Sequence, residues 1–220
     1  MTDKKNILLW GAAGQAIVLH DFMGHCGYRI SAVYDRNPEV QSPFEDLSVF
    51  HDESELFEFM AKQNSLHYFS VAIGGDGGRD RLMIHKKLTE KGLKPATLIH
   101  PESNVAPSVS IDEGSQILIN ATLSSRVVIG KEVIVNSSAS VDHESVLRDG
   151  VHIGPGAVLS GCVDVGSCTF IGSGAVVLPN IRIGQHSLIG AGSVVTEDIP
   201  DHVVAYGSPC RVIRKKSDQK

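Results

Sequence analysis

Residues 129–177 read IGKEVIVNSSASVDHESVLRDGVHIGPGAVLSGCVDVGSCTFIGSGAVV, and every sixth residue of this stretch is aliphatic. The same frame runs without interruption from Ile99 to Val195. The residue four places after each aliphatic position is Ala, Ser, Thr, Val or Ile. An α-helix repeats about every 3.6 residues and a strand about every two, so a strict period of six indicates a solenoid.

The period of six also predicts the geometry of this solenoid. Each hexad forms one short strand and one turn, and three hexads close one triangular coil. Equivalent residues of successive coils then stack at the parallel-strand spacing of roughly 4.8 Å. The first and fifth residues of a hexad point inward, and the third and fourth lie outside near a turn. We therefore expect residues 99–199 to form a β-solenoid domain with a continuous apolar core.

Composition narrows the class of protein. The chain has 220 residues and a formal net charge of -5, which argues against a general nucleic-acid or anionic-membrane binder. No apolar run reaches the length of a membrane span, so we expect no membrane insertion. The four cysteines form no CxxC motif, which favours a reduced, cytoplasmic setting.

Residues 1–98 lack the six-residue repeat and form a separate predicted domain. Residues 200–220 are predicted to be a C-terminal tail. The first segment alternates apolar strands with helical stretches, which predicts a small parallel sheet covered by helices, a Rossmann-like α/β domain. Strands are predicted at 6–10, 28–34, 68–73 and 95–99, and helices at 15–25, 54–62 and 79–91.

Glycines after two of these strands make the domain a candidate nucleotide site. Gly11, Ala12, Ala13 and Gly14 follow the first strand and precede a helix, where backbone amides can meet a phosphate. Asp35 ends the second strand, where a carboxylate can meet a ribose or a base. The alternative is a simple tight turn, since the full GxGxxG pattern is absent.

His143 is the candidate catalytic residue of the solenoid. It stands third in its hexad and therefore outside, and Glu144 or Asp142 could fix its tautomer. Gly161 is stacked one coil beyond His143, where its bare amide could stabilise an oxyanion. The alternative is an ordinary surface histidine.

The sequence resembles the sugar O- and N-acyltransferases of the NeuD and PglD type. The resemblance is carried by segments 136–161 and 171–184, the motif Gly207-Ser-Pro-Cys-Arg211, the GAAG opening, Asp35, segment 73–75 with Arg79, and the LIHP junction. It implies a left-handed β-helix, a homotrimer with the acyl donor between subunits, and acetyl-CoA as co-substrate. The implied reaction is N-acetylation of a nucleotide-linked amino-deoxy sugar of the UDP-4-amino-4,6-dideoxy type, for bacterial surface glycan or glycoprotein biosynthesis.

The resemblance also implies roles for individual residues. His143 would be the general base and Glu144 would orient it, and Asn136 would contact the sugar. The acetyl-CoA site would include His152, Gly161, Ser173 and Ala191. The nucleotide sugar would bind Gly11, Ala12, Ala13, Gly14, Gln15, Asp35, Arg36, Gly74 and Arg79. Family members often have His at the position of Gln15, so the sugar or diphosphate contacts are expected to differ.

Three other functions fit parts of the sequence. O-acetylation of a sialic-acid-like sugar would change only the acceptor atom. A γ-type carbonic anhydrase shares the solenoid, but His143, His152 and His186 lack that family's pair separated by four residues, so we expect no metal cofactor. A non-enzymatic nucleotide-binding scaffold would make His143 incidental.

Overall fold

The computed structural model describes residues 4–63 and 66–217. The N-terminal domain is a parallel five-stranded sheet of order β3-β2-β1-β4-β5 with three helices. Its elements in chain order are β1 (Lys5–Trp10), α1 (Gly14–Met23), β2 (Tyr28–Tyr34), β3 (Val49–Phe50), α2 (Glu53–Lys62), β4 (Leu66–Val71), α3 (Gly78–Glu90) and β5 (Lys94–Pro95).

Two features of this sheet differ from the sequence expectation. Strand β3 was not predicted, because two residues are too short to display an alternation of polar and apolar side chains. The strand expected at 95–99 is divided: β5 joins the N-terminal sheet, whereas β6 (Leu98–Ile99) is the first strand of the solenoid. The chain therefore passes from one domain to the other within a few residues.

The solenoid consists of two-residue strands, one for each hexad. After β6 they are β7 (Asn104–Val105), β8 (Ser110–Ile111), β9 (Gln116–Ile117), β10 (Thr122–Leu123), β11 (Val128–Ile129), β12 (Ile134–Val135), β13 (Ser140–Val141), β14 (Val146–Leu147), β15 (His152–Ile153), β16 (Val158–Leu159), β17 (Asp164–Val165), β18 (Phe170–Ile171), β19 (Val176–Val177), β20 (Arg182–Ile183), β21 (Leu188–Ile189) and β22 (Val194–Val195).

These strands form the three parallel faces of a prism. Face 1 contains β6, β9, β12, β15, β18 and β21, face 2 runs from β7 to β22, and face 3 from β8 to β20. Val135 pairs with Ile153 and Ile153 with Ile171, so stacked neighbours are 18 apart as the hexad predicts. The first-position aliphatics from 117 to 195 are buried in one continuous cluster. We name the turns by the faces they join: corner 1–2, corner 2–3 and corner 3–1.

The turns share a backbone conformation that the period of the aliphatic residues does not predict. Fourth-position residues from Asn120 to His186 have a positive φ, a conformation that favours Gly and Asn. Glycine or asparagine fills many of these sites, but Glu144 (φ 58°) and Cys162 (φ 60°) also adopt it. Their side chains consequently leave corner 2–3 from equivalent backbone positions in successive coils.

The C-terminal segment completes face 1. Strand β23 (Val203–Gly207) pairs parallel to β21, and β24 (Cys210–Lys215) returns antiparallel to β23. Ala205 and Cys210 are fully buried in the solenoid core. Most of the segment expected as a tail is therefore part of the fold, and its last three residues lie outside the described ranges. No helix among the described residues is long and apolar enough to cross a bilayer.

Helix α3 joins the two domains through a buried arginine. The Arg81 side chain is fully buried and donates from Nε to the Glu132 carbonyl oxygen at 2.9 Å and from Nη2 to the Gly150 carbonyl oxygen at 2.7 Å. His85 Nδ1 lies 2.9 Å from Glu132 Oε1, and this contact raises the pKa of His85. Burial raises the pKa of Glu132. These contacts fix the N-terminal domain against corner 3–1.

Candidate active site

The carboxyl ends of β1, β2 and β4 open into a cavity of about 390 Å³ at the junction of the two domains. We call it the junction cleft; it is lined by Gly14, Gln15, Gly74, Asn136 and His152, among others. A second cavity of about 400 Å³, the aromatic cavity, adjoins it across Gly11 and Asp35. The aromatic cavity is lined by Trp10, Tyr34, Arg36, Glu53, Lys87 and their neighbours.

The loop after β1 is shaped for close approach of backbone and ligand. Gly11 has φ +114°, and a Cβ there would lie 2.5 Å from the Ala72 carbonyl oxygen, so a side chain at this position is excluded. Gly14 begins α1, and a Cβ there would meet nothing within 4 Å. Ala13, the N-cap residue, makes no side-chain cap hydrogen bond. The start of α1 therefore presents backbone to the junction cleft in the geometry that suits an anion.

Asp35 holds this loop in place. Its Oδ2 accepts a hydrogen bond from the Ala12 amide at 3.0 Å, and its Oδ1 accepts one from the Asn37 amide at 3.0 Å. Each oxygen retains a second acceptor site, so Asp35 can contact a ligand hydroxyl while it fixes the loop. Its position between the two cavities is the one expected from the end of strand two.

Gln15 is oriented by a buried residue of the solenoid. Its Nε2 donates to Gln116 Oε1 at 2.7 Å, and Gln116 Nε2 donates in turn to the Val71 carbonyl oxygen at 2.8 Å. The remaining oxygen, Oε1 of Gln15, faces Gly74, at 3.6 Å from where a Cβ would stand. The cleft therefore presents an amide oxygen, a hydrogen-bond acceptor, at this position. Sequence reasoning missed Gln116, because nothing in the hexad pattern marks its reach across the domain junction.

His152 is the floor of the junction cleft. It is 4% exposed, and burial lowers its pKa to about 4, so the ring is neutral at neutral pH. Nδ1 lies 3.1 Å from the Gly75 carbonyl oxygen, and Nε2 lies 3.2 Å from Asn136 Nδ2. The proton therefore belongs on Nδ1, and Nε2 accepts from Asn136. His152 thus links the Gly75 loop to the amide of Asn136.

The lowered pKa of His152 predicts a pH-dependent stability. The unfolded chain binds this proton near pH 6.5 and the folded chain near pH 4, so stability is full above about 6.5 and is lost as the pH falls. Between pH 7 and pH 5 the wild type should lose about 2 kcal/mol more unfolding free energy than His152→Gln. Urea denaturation of both proteins at equal concentration measures this. Equal losses in the two proteins would contradict the buried, neutral state of His152.

His143 lies on corner 2–3 with its ring half-exposed. Nδ1 is 3.4 Å from Glu144 Oε2, while Glu144 Oε1 is 3.2 Å from Arg126 Nη1. A Cβ at Gly161 would lie 2.5 Å from His143 Nε2, so the missing side chain is what admits the ring. The His143 ring therefore has the Glu144 carboxylate beside Nδ1 and the bare backbone of Gly161 beside Nε2.

The structure divides the sequence-predicted residues among separate regions. His143, Glu144 and Gly161 share corner 2–3, whereas Ser173 and Ala191 are exposed on corner 1–2. Asn136 precedes these two on corner 1–2, and its side chain reaches His152 on face 1. Face 2 therefore separates the His143 group from the junction cleft within one chain.

Two predicted contacts lie away from the junction cleft. Arg36 lines the aromatic cavity. Arg79 is exposed at the start of α3 and faces a small hollow formed with Asp76, His202 and Lys216.

The three histidines weighed as zinc ligands do not converge. His143 is on corner 2–3, His152 on face 1 and His186 on corner 3–1, where its ring stacks on His202 at 4.9 Å. Nothing in this arrangement supports the carbonic anhydrase alternative.

Comparison with known proteins gives a consistent set of relatives. The bacterial transferase hexapeptide family (six repeats) matches residues 162–197. GDP-perosamine N-acetyltransferase of Escherichia coli O157:H7 is 34% identical over 104 residues, which is 47% of this chain and 46% of that protein. The match thus spans about half the length of the curated relative.

Two solved structures cover nearly the whole chain. PerB from Caulobacter crescentus, in complex with CoA and GDP-perosamine, is 32% identical with a TM-score of 0.87, covering 95% of this chain and 97% of PerB. The acetyltransferase domain of PglB from Neisseria gonorrhoeae FA1090, in complex with acetyl coenzyme A, is 30% identical with a TM-score of 0.84, covering 96% and 100%. The predicted fold class, a Rossmann-like domain followed by a left-handed parallel β-helix, is confirmed.

Proposed function

The chain belongs to the NeuD/PglD-like sugar acyltransferases with hexapeptide repeats, and we propose that it acetylates the amino group of a nucleotide-linked amino-deoxy sugar. Acetyl-CoA is the acyl donor. The observation that carries the proposal is the pairing of His143 with Glu144 against the bare backbone of Gly161. Release of CoA thiol over a panel of nucleotide amino sugars tests it; the absence of turnover across the panel would contradict it.

His143 is the general base of the proposed reaction. The sugar amine attacks the thioester carbonyl carbon, and His143 takes the proton that the nitrogen must lose as the tetrahedral intermediate forms. Glu144 orients the imidazole through Nδ1 and stabilises its protonated form. The Gly161 amide donates to the developing oxyanion. Collapse of the intermediate breaks the C–S bond, and the protonated His143 gives its proton to the leaving sulfur, so that CoA leaves as the thiol.

The nucleotide sugar occupies the two adjoining cavities. The diphosphate lies over the start of α1 at Gly14, since an anion is stabilised there by backbone amides and by the helix dipole. The base and ribose extend into the aromatic cavity, where Trp10 and Tyr34 supply ring surfaces. The sugar lies in the junction cleft beside Gln15 and Asn136.

A substitution at Gly14 separates nucleotide-sugar binding from donor binding. Gly14→Val has room to fold, because a Cβ at this position meets nothing within 4 Å, but its methyl groups occupy the proposed diphosphate position. We expect the KM for the nucleotide sugar to rise about tenfold or more, as expected for roughly 1.4 kcal/mol of lost binding, with the KM for acetyl-CoA unchanged. Gly14→Ala, which adds a single methyl group in the same open space, is the milder control. Equal increases in both KM values would contradict the assignment.

The acetyl-CoA arm runs along corner 1–2. Ser173 and Ala191 are small, exposed and stacked one coil apart there, so an extended pantetheine chain can lie close to the backbone. His152 contributes through Asn136, whose amide it holds at the sugar end of this corner. This assignment puts the thioester near the junction cleft.

The active site is completed between subunits of a homotrimer. Because face 2 separates His143 from the junction cleft within one chain, we assign the base and the sugar-binding cleft of each site to neighbouring copies. Val158 on face 2 and Leu178 on corner 2–3 are each about 40% exposed within one chain. We expect a neighbouring subunit to cover these apolar side chains. Cys26, Cys162, Cys168 and Cys210 are free thiols, consistent with a trimer that works in the reducing cytoplasm.

Mixed trimers test this shared site. Chains with His143→Ala keep the cleft, and chains with Gly14→Val keep the base, so each alone is impaired at low nucleotide-sugar concentration. In trimers co-assembled from equal amounts, about a quarter of shared sites should combine an intact cleft with an intact base. Turnover of the mixture, with light scattering to verify the trimer, measures the recovery. A fully active monomer, or a mixture no better than its separate components, would contradict the shared site.

A further inference from the structure

Three metal-ligand atoms converge on corner 2–3. A ring nitrogen of His143, a carboxylate oxygen of Glu144 and Sγ of Cys162 all lie within 4.8 Å of one another, and all three residues are exposed. The solenoid register produces this convergence. Glu144 and Cys162 hold the same hexad position in successive coils with the same positive φ, and the Cys162 amide donates to the His143 carbonyl oxygen at 2.9 Å.

The chemistry of these atoms selects the cation. Imidazole nitrogen, thiolate sulfur and carboxylate oxygen are the ligand types of Zn²⁺, whereas Mg²⁺ and Ca²⁺ prefer oxygen alone. Three ligands on one side leave the fourth tetrahedral position open to water. Because the three side chains are exposed within one chain, small rotations can bring the atoms to the separations that Zn²⁺ requires.

The guanidinium group of Arg126 does not prevent a metal ion from binding at this site. Arg126 Nη1 contacts Glu144 Oε1, while Glu144 Oε2 faces His143. A metal ion can therefore take Oε2 while Arg126 keeps Oε1. Gly161 leaves the space beside the ring clear of side-chain atoms.

We propose that His143, Glu144 and Cys162 form an inhibitory site for Zn²⁺ and similar cations. Binding is a ligand exchange without oxidation or reduction: the three side chains replace water on the ion, and the Cys162 thiol releases its proton to solvent. An ion on Nε2 takes the lone pair that the proposed reaction uses, and an ion on Nδ1, the nitrogen that faces Glu144 Oε2, leaves the ring proton on Nε2. In either case Nε2 cannot accept a proton from the substrate. The inhibitory part rests on the proposed role of His143, whereas binding depends on the side-chain geometry alone.

Cobalt and zinc binding to the full-length protein test the site directly. Chelator-treated wild type titrated with Co²⁺ should develop the thiolate-to-cobalt absorption band of a tetrahedral site at one ion per chain. Cys162→Ser should lose this band and bind Zn²⁺ about tenfold or more weakly in competition with a chromogenic chelator. Cys162→Gly, which suits the positive φ, is the second variant, and Cys26→Ser is the matched thiol control. Equal Zn²⁺ affinity in wild type and both Cys162 variants would overturn the proposal.

The kinetic experiment tests inhibition. Zn²⁺ should inhibit CoA release by the wild type at concentrations about tenfold or more below those needed for Cys162→Gly, and EDTA should restore the activity. Without added metal the two proteins should turn over alike. Stoichiometric Zn²⁺ binding through Cys162 with unchanged turnover would overturn the inhibitory role. If no substrate of the panel is turned over, the cobalt titration still decides whether the site exists, so the two proposals fail separately.

Discussion

His143→Ala should lower turnover by about 10²–10⁴-fold with little change in either KM, because general-base catalysis contributes roughly that factor. A protonated sugar amine cannot attack the thioester, and His143 Nε2 is the side-chain atom nearest the bare backbone of Gly161, at 2.5 Å from where a Cβ would stand. His152 of the subunit that holds the sugar is a poor substitute, because both its ring nitrogens are engaged and burial lowers its pKa to about 4. Steady-state kinetics with saturating acetyl-CoA measures the loss.

Two further variants test whether the loss of turnover is specific to His143. Glu144→Gln should cost less than His143→Ala, because Glu144 orients the ring and does not itself accept the proton. His202→Ala removes an exposed histidine on another corner and should leave turnover unchanged. Near-normal turnover of His143→Ala would show that His143 is not the base.

An aspartate at an inward position of the solenoid should prevent stable folding. Ile153 and Ile171 are fully buried and stacked on each other in face 1. A carboxylate there would be surrounded by aliphatic side chains without a partner, at a cost of about 4 kcal/mol or more. Thermal and urea denaturation of Ile153→Asp and Ile171→Asp measure the effect.

The neighbouring outward positions provide the control. In β11 the side chain of Val128 is 44% exposed and that of Ile129 is 2% exposed. Val128→Asp should therefore be tolerated, whereas Ile129→Asp should behave like the two inward variants. Similar stability of Val128→Asp and Ile129→Asp would contradict the division of each hexad into inward and outward positions.

The solenoid could be predicted because its pattern is local and repeated. A single six-residue rule determines which side chains face inward, and stacking by 18 then brings Gly161 against His143. The conformation of the turns was harder to predict from sequence, because residues as different as Asn120, Glu144 and His186 adopt a positive φ at the fourth position of the hexad. Strand β3 was not predicted, because it is recognised by its pairing with β2 and not by its sequence.

The junction cleft could be predicted only in part. The loop at Gly14 and the end of β2 at Asp35 were foreseeable, since ligands of parallel sheets lie at the carboxyl ends of strands. The orientation of Gln15 by Gln116, and the position of His152 beneath Gly75, depend on how the two domains pack. That packing rests on Arg81, which no motif singled out.

The acceptor atom is the most direct test of the account. Two nucleotide sugars that differ only in carrying an amino or a hydroxyl group at the acetylated carbon are offered to the enzyme with acetyl-CoA, and the products are identified by NMR and mass spectrometry. We predict an N-acetyl product from the amino sugar, formed with equimolar CoA thiol, and no reaction of its hydroxyl counterpart. Acetylation of the hydroxyl sugar alone would show an O-acetyltransferase and contradict the proposed reaction.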